Sequence, residues 1–464
     1  MTTTAEPLTT GRIAARIDRL PITWTQWRLA LLTQFFWGII VAVDGTPAKL
    51  YPFVWGPEHA FGLTAFSLLL AVGNGAGIII GEYLISLVSD RWGRRTAMLA
   101  SSLLVSLLLW PTALTDNYAL LMLFFFLSSF GIGGIISTSV VYMGEIVAPR
   151  QRGRIMLASQ IVAVMVFGLL GNLPALFWVP ANYQWVIYLY SFLAFVIVVP
   201  VTLWLMPESP RWLEAHGRHA QAERVIEGLE KECLRRSGQT ALPEPDYSRY
   251  LVPVTEHVPI GQMLSGEYGR RTILLLIVWI LLYSGMFYGF GGYEPSILHA
   301  YHLNSSLTFA VILVSTMFGG GVGLAFSSWL GERVERRKTI FVSALVNIAA
   351  LWAFFFVHSI VLSFVLVTIL WGAAQTLLFN LYNYTAASYP TRLRTTGVGL
   401  TDGLGHLGAI FGPIIVGALY EATAHVGFVG WFAYITIVGA LIPASLLVSF
   451  GINQRRANLE QISR

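Results

Sequence analysis

The sequence predicts an all-α membrane protein with twelve transmembrane helices in two pseudo-symmetric six-helix bundles. The composition is 55% hydrophobic and only 11% charged, whereas a soluble domain carries about 25% charged residues. The apolar residues come in blocks of roughly 20, the length that a helix needs to cross a bilayer. Lipid admits only helices or closed barrels, and the alternating pattern of barrel strands is not seen. The duplication described below divides the helices into two halves.

The apolar blocks define the predicted spans and, with them, the domains. The blocks cover residues 29–54, 64–88, 96–115, 119–147, 155–178, 183–206, 272–298, 307–330, 339–357, 360–388, 396–420 and 427–450. They divide the chain into an N-terminal segment (1–28), a first bundle (29–206), a linker with short helices (207–271), a second bundle (272–450) and a tail (451–464).

The basic residues indicate which way the chain crosses the membrane. The net charge is +5, and every Lys and Arg except Lys49 falls on the same side of a twelve-span topology. Positive residues flank the cytoplasmic ends of spans, so we expect both termini and the linker to be cytoplasmic, in the cell (inner) membrane. The positive charge is thus a topology signal, and we expect no nucleic-acid partner.

Two motifs recur at nearly one offset, which indicates a duplicated unit. SDRWGRR follows span 2 and GERVERRK follows span 8, 242 residues later, while Pro149 after span 4 corresponds to Pro390, 241 residues later. The chain therefore contains six spans twice. In carriers built from such repeats, the ligand site lies between the halves near the middle of the membrane.

The segments outside the spans carry weaker signals. Helical spacing places Ile13, Ile17 and Leu20 on one face of the N-terminal segment, which either lies on the inner membrane surface or is a disordered tail. Ser209 is suited to cap a linker helix with Pro210 in its first turn. The lone Cys233 excludes a disulfide within the chain.

These motifs resemble those of the major facilitator superfamily, and the resemblance covers nearly the whole chain. The run Asp90 to Arg95 resembles the loop 2–3 motif of that superfamily. PESPRWL after span 6 is similar to a motif of its sugar porters and of its organic-ion and aromatic-acid transporters, as is Glu145 followed by Pro149, Arg152 and Gly153. The resemblance implies a secondary active transporter that works by alternating access.

Charged residues at the cytoplasmic helix ends are candidates for a gate. Opposite charges near helix termini can form a network that latches the two halves; the alternative is that they hold short loops and fix topology. The candidates are Asp90, Arg91, Arg94, Arg95, Glu145, Arg152, Glu208, Arg211, Glu332, Arg333, Arg336, Arg392 and Arg394.

Four ionisable residues inside the spans are candidates for proton coupling, because an intramembrane charge is a functional hypothesis by default. Asp44 is the nearest match to the span 1 acid that carries the proton in the resembling families; otherwise it is a structural partner. Glu82 is either a second protonation site or a partner of a polar group in span 11. Asp402 and His406 share one face of span 11, where the resembling organic-acid transporters often have an Arg that pairs with a substrate carboxylate at the His406 position. The alternative is a histidine hydrogen-bonded to Asp402.

Aromatic and amide side chains in the spans suggest a site for a ring-bearing or amphipathic solute, since ligand sites combine apolar walls with a few polar groups. Glu294 in the run YGFGGYEP either belongs to this site or faces outer water. The substrate-binding candidates are Trp37, Tyr142, Gln160, Trp279, Tyr283, Tyr288, Glu294, Asn380 and Asn383.

Three transport hypotheses remain open. The first is proton-coupled symport of an aromatic or heterocyclic acid such as nicotinate or a hydroxybenzoate. The second is a sugar or polyol symporter, although span 7 lacks the paired glutamines of sugar porters, and the third is an organic-cation or drug carrier. An enzyme is disfavoured, because there is no metal cluster, nucleophile elbow or phosphate loop. We expect no cofactor, and the partners are the small-molecule substrate, protons and membrane lipid, with the protein a monomer.

Overall fold

The computed structural model describes residues 12–44, 62–168, 189, 191–192, 194–247, 263–300, 305–331, 333–357, 359–389, 391–422 and 448. Within these ranges every extended regular element is a helix, so the predicted all-α fold is confirmed. Seven helices of the described part are long and apolar enough to cross a membrane, with mean hydropathies between 1.2 and 2.3 over their best windows.

The first half comprises the helices that precede the linker. They are α1 (Arg12–Asp18), α2 (Trp24–Asp44), α3 (Leu63–Trp92), α4 (Arg94–Thr112), α5 (Tyr118–Ile146), α6 (Pro149–Val162) and α7 (Val199–Leu205). Three stretches are π-helical: Leu69–Ala76 within α3, Ala163–Gly168 after α6 and Ala194–Val198 before α7.

The linker and the second half follow. Their helices are α8 (Pro210–Ala215), α9 (His219–Ser237), α10 (Gly266–Leu282), α11 (Gly291–Ala300), α12 (Ser305–Gly331), α13 (Arg336–Phe355), α14 (Ile360–Ala387), α15 (Thr391–Gly405) and α16 (Leu407–Ala422). A π-helical stretch, Tyr283–Phe290, joins α10 to α11. The Ser209 side chain caps α8 by accepting from the backbone N–H of Trp212 at 3.2 Å.

Corresponding glycines bring equivalent helices together in the two halves. A Cβ on Gly81 of α3 would lie 2.3 Å from the Cα of Phe130 on α5, and one on Gly323 of α12 would lie 2.2 Å from the carbonyl oxygen of Gly372 on α14. Gly81 and Gly323 are 242 residues apart, as are Phe130 and Gly372. Small residues let membrane helices approach closely, so the duplicated sequence specifies the same helix crossing twice.

The N-terminal helix α1 packs against the linker. Ile13 and Ile17 are buried in one hydrophobic cluster with Trp212 of α8 and Ile226 and Leu229 of α9. The apolar face that could have covered a membrane surface, or been left in a disordered tail, is instead covered by the chain itself. The linker supplies the apolar partner that the local sequence around α1 does not reveal.

Ion pairs hold the same contact. Arg16 donates to Glu230 at 2.6 and 2.9 Å and to Glu223, and Arg19 donates to Glu230 at 2.7 Å. Burial alone would raise the pKa of the Glu230 carboxyl, but the hydrogen bonds from the two arginines outweigh it and hold that pKa below its ordinary value. Arg28 at the start of α2 also pairs with Glu232 at 3.2 Å, so α9 is tied to α1 and to the start of the first span.

We predict that Glu230→Gln loosens α1. Losing charge-assisted hydrogen bonds of this kind costs about 1–3 kcal/mol, so hydrogen–deuterium exchange of the α1 amides should accelerate. Glu227→Gln on the same helix is the control, because the ion pair that Glu227 forms within the described residues is an exposed one, with Lys231 at 3.9 Å. Equal acceleration in both variants would contradict the assignment.

The ion pairs of Glu230 with Arg16 and Arg19 predict that the strength of the α1 contact depends on pH. A carboxyl whose folded-state pKa is lowered stabilises the fold above its unfolded pKa, and that stabilisation is lost as pH falls through the folded value. The α1 contact should therefore keep its full strength at neutral pH and weaken below about pH 4 in the wild type. Hydrogen–deuterium exchange of the α1 amides should therefore depend less on pH in Glu230→Gln than in the wild type.

Candidate functional site

The centre of the candidate site is a π-helical stretch of the seventh predicted span. In a π-helix the backbone hydrogen bonds skip one residue more than in an α-helix, and such segments occur frequently at functional sites. Tyr283–Phe290 carries Tyr283, Phe287 and Tyr288. Gly408 and Gly412 of α16 lie against the backbone of this stretch, where an added Cβ would be 2.7 and 2.8 Å from atoms of Ser284. The close approach of α16 fixes the position of the π-helical tyrosines.

Two tyrosines hold the carboxylate of Asp402. The Tyr283 hydroxyl donates to Oδ1 at 2.8 Å and the Tyr382 hydroxyl donates to Oδ2 at 3.0 Å. The two hydroxyl oxygens are 3.2 Å apart. These side chains come from the π-helical stretch, α14 and α15, so the carboxylate joins three helices. A buried carboxylate requires such donors, because an unpaired one loses its hydration without compensation.

His406 lies directly beside this carboxylate. Only 4% of its surface is exposed, and its Nδ1 is 3.1 Å from the backbone carbonyl oxygen of Asp402 and 3.9 Å from Oδ1. Its ring lies against Tyr283 with centroids 4.2 Å apart and the planes tilted by 31°, and Tyr288 makes an edge contact with centroids 6.4 Å apart. The predicted pair on one face of span 11 is therefore extended by aromatic rings.

Glu82 reaches this group from the other half. It lies on α3, close enough to Asp402 and His406 for their charges to act on its carboxyl, and its own charge acts on Tyr382. Of the two roles considered for Glu82, partnership with a polar group of span 11 agrees with this placement. The four predicted proton-coupling residues thus include three that the fold brings together across the interface between the halves.

Aromatic side chains form the wall around these polar groups. The Trp279 ring lies 4.6 Å from Tyr382 and 5.4 Å from Tyr283, and its Nε1 donates to Thr385 at 3.3 Å. Phe287 continues the wall to Trp371, at 5.7 Å. Flat apolar faces with a few polar groups suit an aromatic solute.

Glu294 is buried, with 1% of its surface exposed, so it does not face outer water. Its Oε2 accepts a hydrogen bond from Trp371 Nε1 at 3.1 Å. Its Oε1 is buried without a hydrogen-bond partner among the described residues. Glu294 therefore borders the aromatic wall through Trp371.

Other substrate-binding candidates make hydrogen bonds to partners outside this cluster. The Tyr142 hydroxyl donates to the Pro207 carbonyl at 2.9 Å, next to the linker. Asn380 donates to Ser327 at 2.8 Å and joins α14 to α12, while Asn383 donates to the Phe379 carbonyl of its own helix at 2.8 Å. These groups satisfy helix contacts, which spacing along the sequence does not distinguish from ligand contacts.

Several candidates have no described role in the cluster. Trp37 on α2 and Gln160 on α6 are half-buried. Asp44 is the last residue of α2, but its side chain lies outside the described part. The gate candidates whose side chains also lie outside the described residues are Arg152, Glu332, Arg392 and Arg394.

The gate candidates of the first half form one network around Arg94. Its guanidinium binds Glu145 at 2.7 Å and Asp90 at 2.9 Å. Glu208 at the start of the linker accepts from the backbone N–H groups of Arg94 and Arg95 at 2.9 and 3.2 Å, so it caps the N-terminus of α4. Burial raises the pKa of the Glu208 carboxyl, although these donors offset part of the effect.

The remaining described gate candidates are more peripheral. Arg91 is exposed over the Trp92 ring at 5.6 Å, and Arg333 lies over Trp329 at 4.7 Å. Arg336 opens α13, and Arg211 lies on α8. Among the described residues, the ion pairs of the Arg94 network stay within the first half. The latch between the halves that the sequence predicts is therefore not formed among the described residues in this conformation.

One contact between the halves lies at the end of the spans away from the linker, here called the far end. The Ser67 hydroxyl on α3 lies 2.5 Å from the Tyr293 hydroxyl, which also donates to the Pro413 carbonyl at 3.1 Å. A Cβ on Gly417 would be 1.8 Å from Ser67 Oγ. The far end is closed between spans 2, 7 and 11.

No motif in the sequence marks Ser67, Tyr293, Trp371 or Tyr382 as site residues. In the sequence Tyr382 is one of many aromatic residues of the spans, and Ser67 is an ordinary small polar residue of an apolar helix. Their partners, Asp402, Tyr293 and Pro413, are distant along the chain. No local pattern marks such contacts.

The comparisons with known proteins agree with this architecture. A family model described as Major Facilitator Superfamily matches residues 29–413 and 280–460. A niacin transporter of Acinetobacter baylyi is 27% identical over 470 residues, covering 97% of this chain and 99% of the relative. A gallate transporter of Pseudomonas putida is 28% identical over 414 residues, 87% of each chain. The crystal structure of a D-xylose–proton symporter superposes with a TM-score of 0.69 at 15% identity, over 93% of this chain and 98% of that one.

We predict that Gly417→Ala wedges the far end open, because its methyl group would overlap Ser67 Oγ. Spin labels at Leu114 and Val361, each 70% exposed in one of the two halves, should report a longer distance by pulsed electron paramagnetic resonance. Gly62→Ala at the start of α3 is the control, since no atom lies within 4 Å of the added Cβ. An unchanged distance distribution in Gly417→Ala would contradict the closure described above.

Proposed function

The chain belongs to the major facilitator superfamily of membrane transporters, and we propose that it is a proton-coupled symporter of a small aromatic or heterocyclic acid such as nicotinate or a hydroxybenzoate. The family match makes the chain an integral membrane transporter of a small molecule, not an enzyme, and a twelve-span fold is consistent with it. The named relatives transport niacin and gallate, both aromatic acids, which supports the substrate class proposed here.

One observation carries the proposal: the Asp402 carboxylate is held by Tyr283 and Tyr382 beside His406, and Glu82 of the other half lies close to both. Titratable groups inside a membrane bundle mark substrate or proton pathways. This cluster lies on both sides of the interface between the halves, so alternating access exposes it to each side of the membrane in turn.

The aromatic wall supplies the second requirement of such a substrate. An aromatic ring that stacks or packs edge-on against Tyr283, Tyr288 and Trp279 gains about 0.5–1.5 kcal/mol per ring pair beyond its buried area. The polar groups at one side of the wall then orient the carboxylate. A sugar carries no carboxylate for these polar groups to orient.

Alternating access uses the two ends of the bundle differently. Closure at the far end joins Ser67, Tyr293 and Pro413, whereas the charge network around Arg94 would latch the linker end when the far end opens. Asp44 of span 1 stays among our proposed proton-coupling residues, together with Glu82, Asp402 and His406 at the interface.

The topology and the domain division stay as predicted from sequence. We propose that both termini and the linker face the cytoplasm in an inner-membrane protein, that the two bundles span 29–206 and 272–450, and that the protein acts as a monomer. The distribution of Lys and Arg supports this orientation.

A sugar and an organic cation are the two alternative substrates. The fold likeness to a xylose–proton symporter leaves room for a sugar, and the acids Glu82, Glu294 and Asp402 leave room for an organic cation. Uptake into proteoliposomes decides between them, with nicotinate, 4-hydroxybenzoate, xylose and tetraethylammonium offered under an inward proton gradient. Protein-free liposomes correct for passive entry of the acids. Carrier-dependent uptake of xylose or the cation alone would overturn the proposal.

We predict that Tyr382→Phe weakens acid uptake while leaving the protein folded. The variant removes the donor to Asp402 Oδ2, and the loss of one hydrogen bond to a charged group amounts to about 1.5–3 kcal/mol. The specificity constant kcat/KM for the transported acid should therefore fall by roughly tenfold or more. Tyr83→Phe is the matched control, because Tyr83 is 68% exposed on the outer surface of α3. Equal uptake by both variants would remove Tyr382 from the site.

A further inference from the structure

An anionic substrate needs a cation, and the described spans offer a single suitable group. The Lys and Arg side chains of the described spans lie in the turns at the linker end; Arg94 and Arg336, for example, are the first residues of α4 and α13. Deeper in the bundle the described ionisable side chains near the aromatic wall are the acids Glu82, Glu294 and Asp402, together with His406. Among them only His406 can become positive.

The hydrogen bond of His406 fixes which nitrogen gains the proton. A carbonyl oxygen only accepts, so the Nδ1 that lies 3.1 Å from the Asp402 carbonyl carries a hydrogen. The neutral ring then has its lone pair on Nε2, and Nε2 makes no hydrogen bond within the described part of the chain. A proton taken up by the neutral ring therefore enters at Nε2.

The surroundings favour a transient cation at this position. His406 lies in the turn between α15 and α16, beside Asp402 of α15. The π-helical stretch contributes Tyr283 and Tyr288, and α14 contributes Tyr382. From the first half, α3 contributes Glu82. The Tyr283 ring, whose centroid is 4.2 Å from that of His406 with the two planes tilted by 31°, attracts a cation through its π-face.

We propose that the transported proton and the substrate carboxylate meet on His406: Nε2 takes up a proton from the aqueous side, and the resulting imidazolium pairs with the carboxylate. This rests on the proposed function, and it names the residue that joins proton to substrate. When the carboxylate leaves, the imidazolium loses its partner and returns the proton to water on the other side. The proton is bound and released without any bond of the substrate changing.

Charge balance explains why one residue can couple the two ligands. Neutral His406 without substrate and imidazolium paired with one carboxylate have the same net charge. The forms that carry only the proton or only the anion differ from these by one charge, and burying an unpaired charge is unfavourable. The carrier therefore changes conformation either empty or with both ligands, and one proton accompanies each anion. A permanently charged side chain at this position could bind the anion but could not release a proton.

Proton uptake on binding tests this inference in the purified protein. 4-Hydroxybenzoate and nicotinate are added to weakly buffered protein in detergent above neutral pH, where both probes are anionic, and a pH-sensitive dye records the protons taken up. We expect about one proton for each molecule bound by the wild type. Over the pH range in which one proton is taken up for each molecule bound, the apparent Kd should rise about tenfold per pH unit.

Two variants complete the test. His406→Arg should bind the acids with a Kd that changes less than about twofold over the same pH range, without proton uptake. His219→Gln, at the exposed start of α9, should behave like the wild type. Binding without proton uptake in the wild type would overturn the role of His406, as would proton uptake that persists in His406→Arg. If neither acid binds the folded wild type, the proposed substrate class itself fails.

Discussion

The structure depends on how it keeps ionisable groups inside an apolar bundle. The Asp402 carboxylate is the central case: without Tyr283 and Tyr382 it would be a buried anion with no donors, which low-polarity surroundings do not tolerate. The two hydroxyls at 2.8 and 3.0 Å satisfy both of its oxygens. The same contacts tie α14, α15 and the π-helical stretch together, and they set the position of His406 next to the carboxylate.

Contacts elsewhere in the protein hold the helices that carry these groups in position. Closely approaching glycines, such as Gly81 against Phe130 and Gly323 against Gly372, fix the helix crossings of each half. The contact of Ser67, Tyr293 and Pro413 closes the far end over the interface. At the other end α1 and α9 bind each other through Arg16, Arg19 and Glu230, which ties the linker to the first half. Movement between the halves can then occur without loosening either one.

The sequence predicted the fold class and the group of acids in the spans, because hydropathy, charge distribution and repeated motifs are local properties. It also placed Asp402 and His406 on one helix face, since four residues make about one turn. It could not show that Tyr382 completes the Asp402 site or that Glu294 is buried against Trp371, because both depend on contacts between distant spans. For α1 the amphipathic pattern was correct, but the apolar partner was the linker and not the membrane. Tyr142 and Asn380 show the converse limit: a polar group in a span can serve the packing of its own helices.

A cryo-electron microscopy map of the protein saturated with nicotinate or 4-hydroxybenzoate tests the central claim most directly. The account predicts ligand density between the rings of Tyr283, Tyr288 and Trp279, with the carboxylate within hydrogen-bond distance of His406 Nε2, or about 3 Å. Density for the ring elsewhere in the bundle, or a carboxylate held by residues of a different cluster, would contradict it.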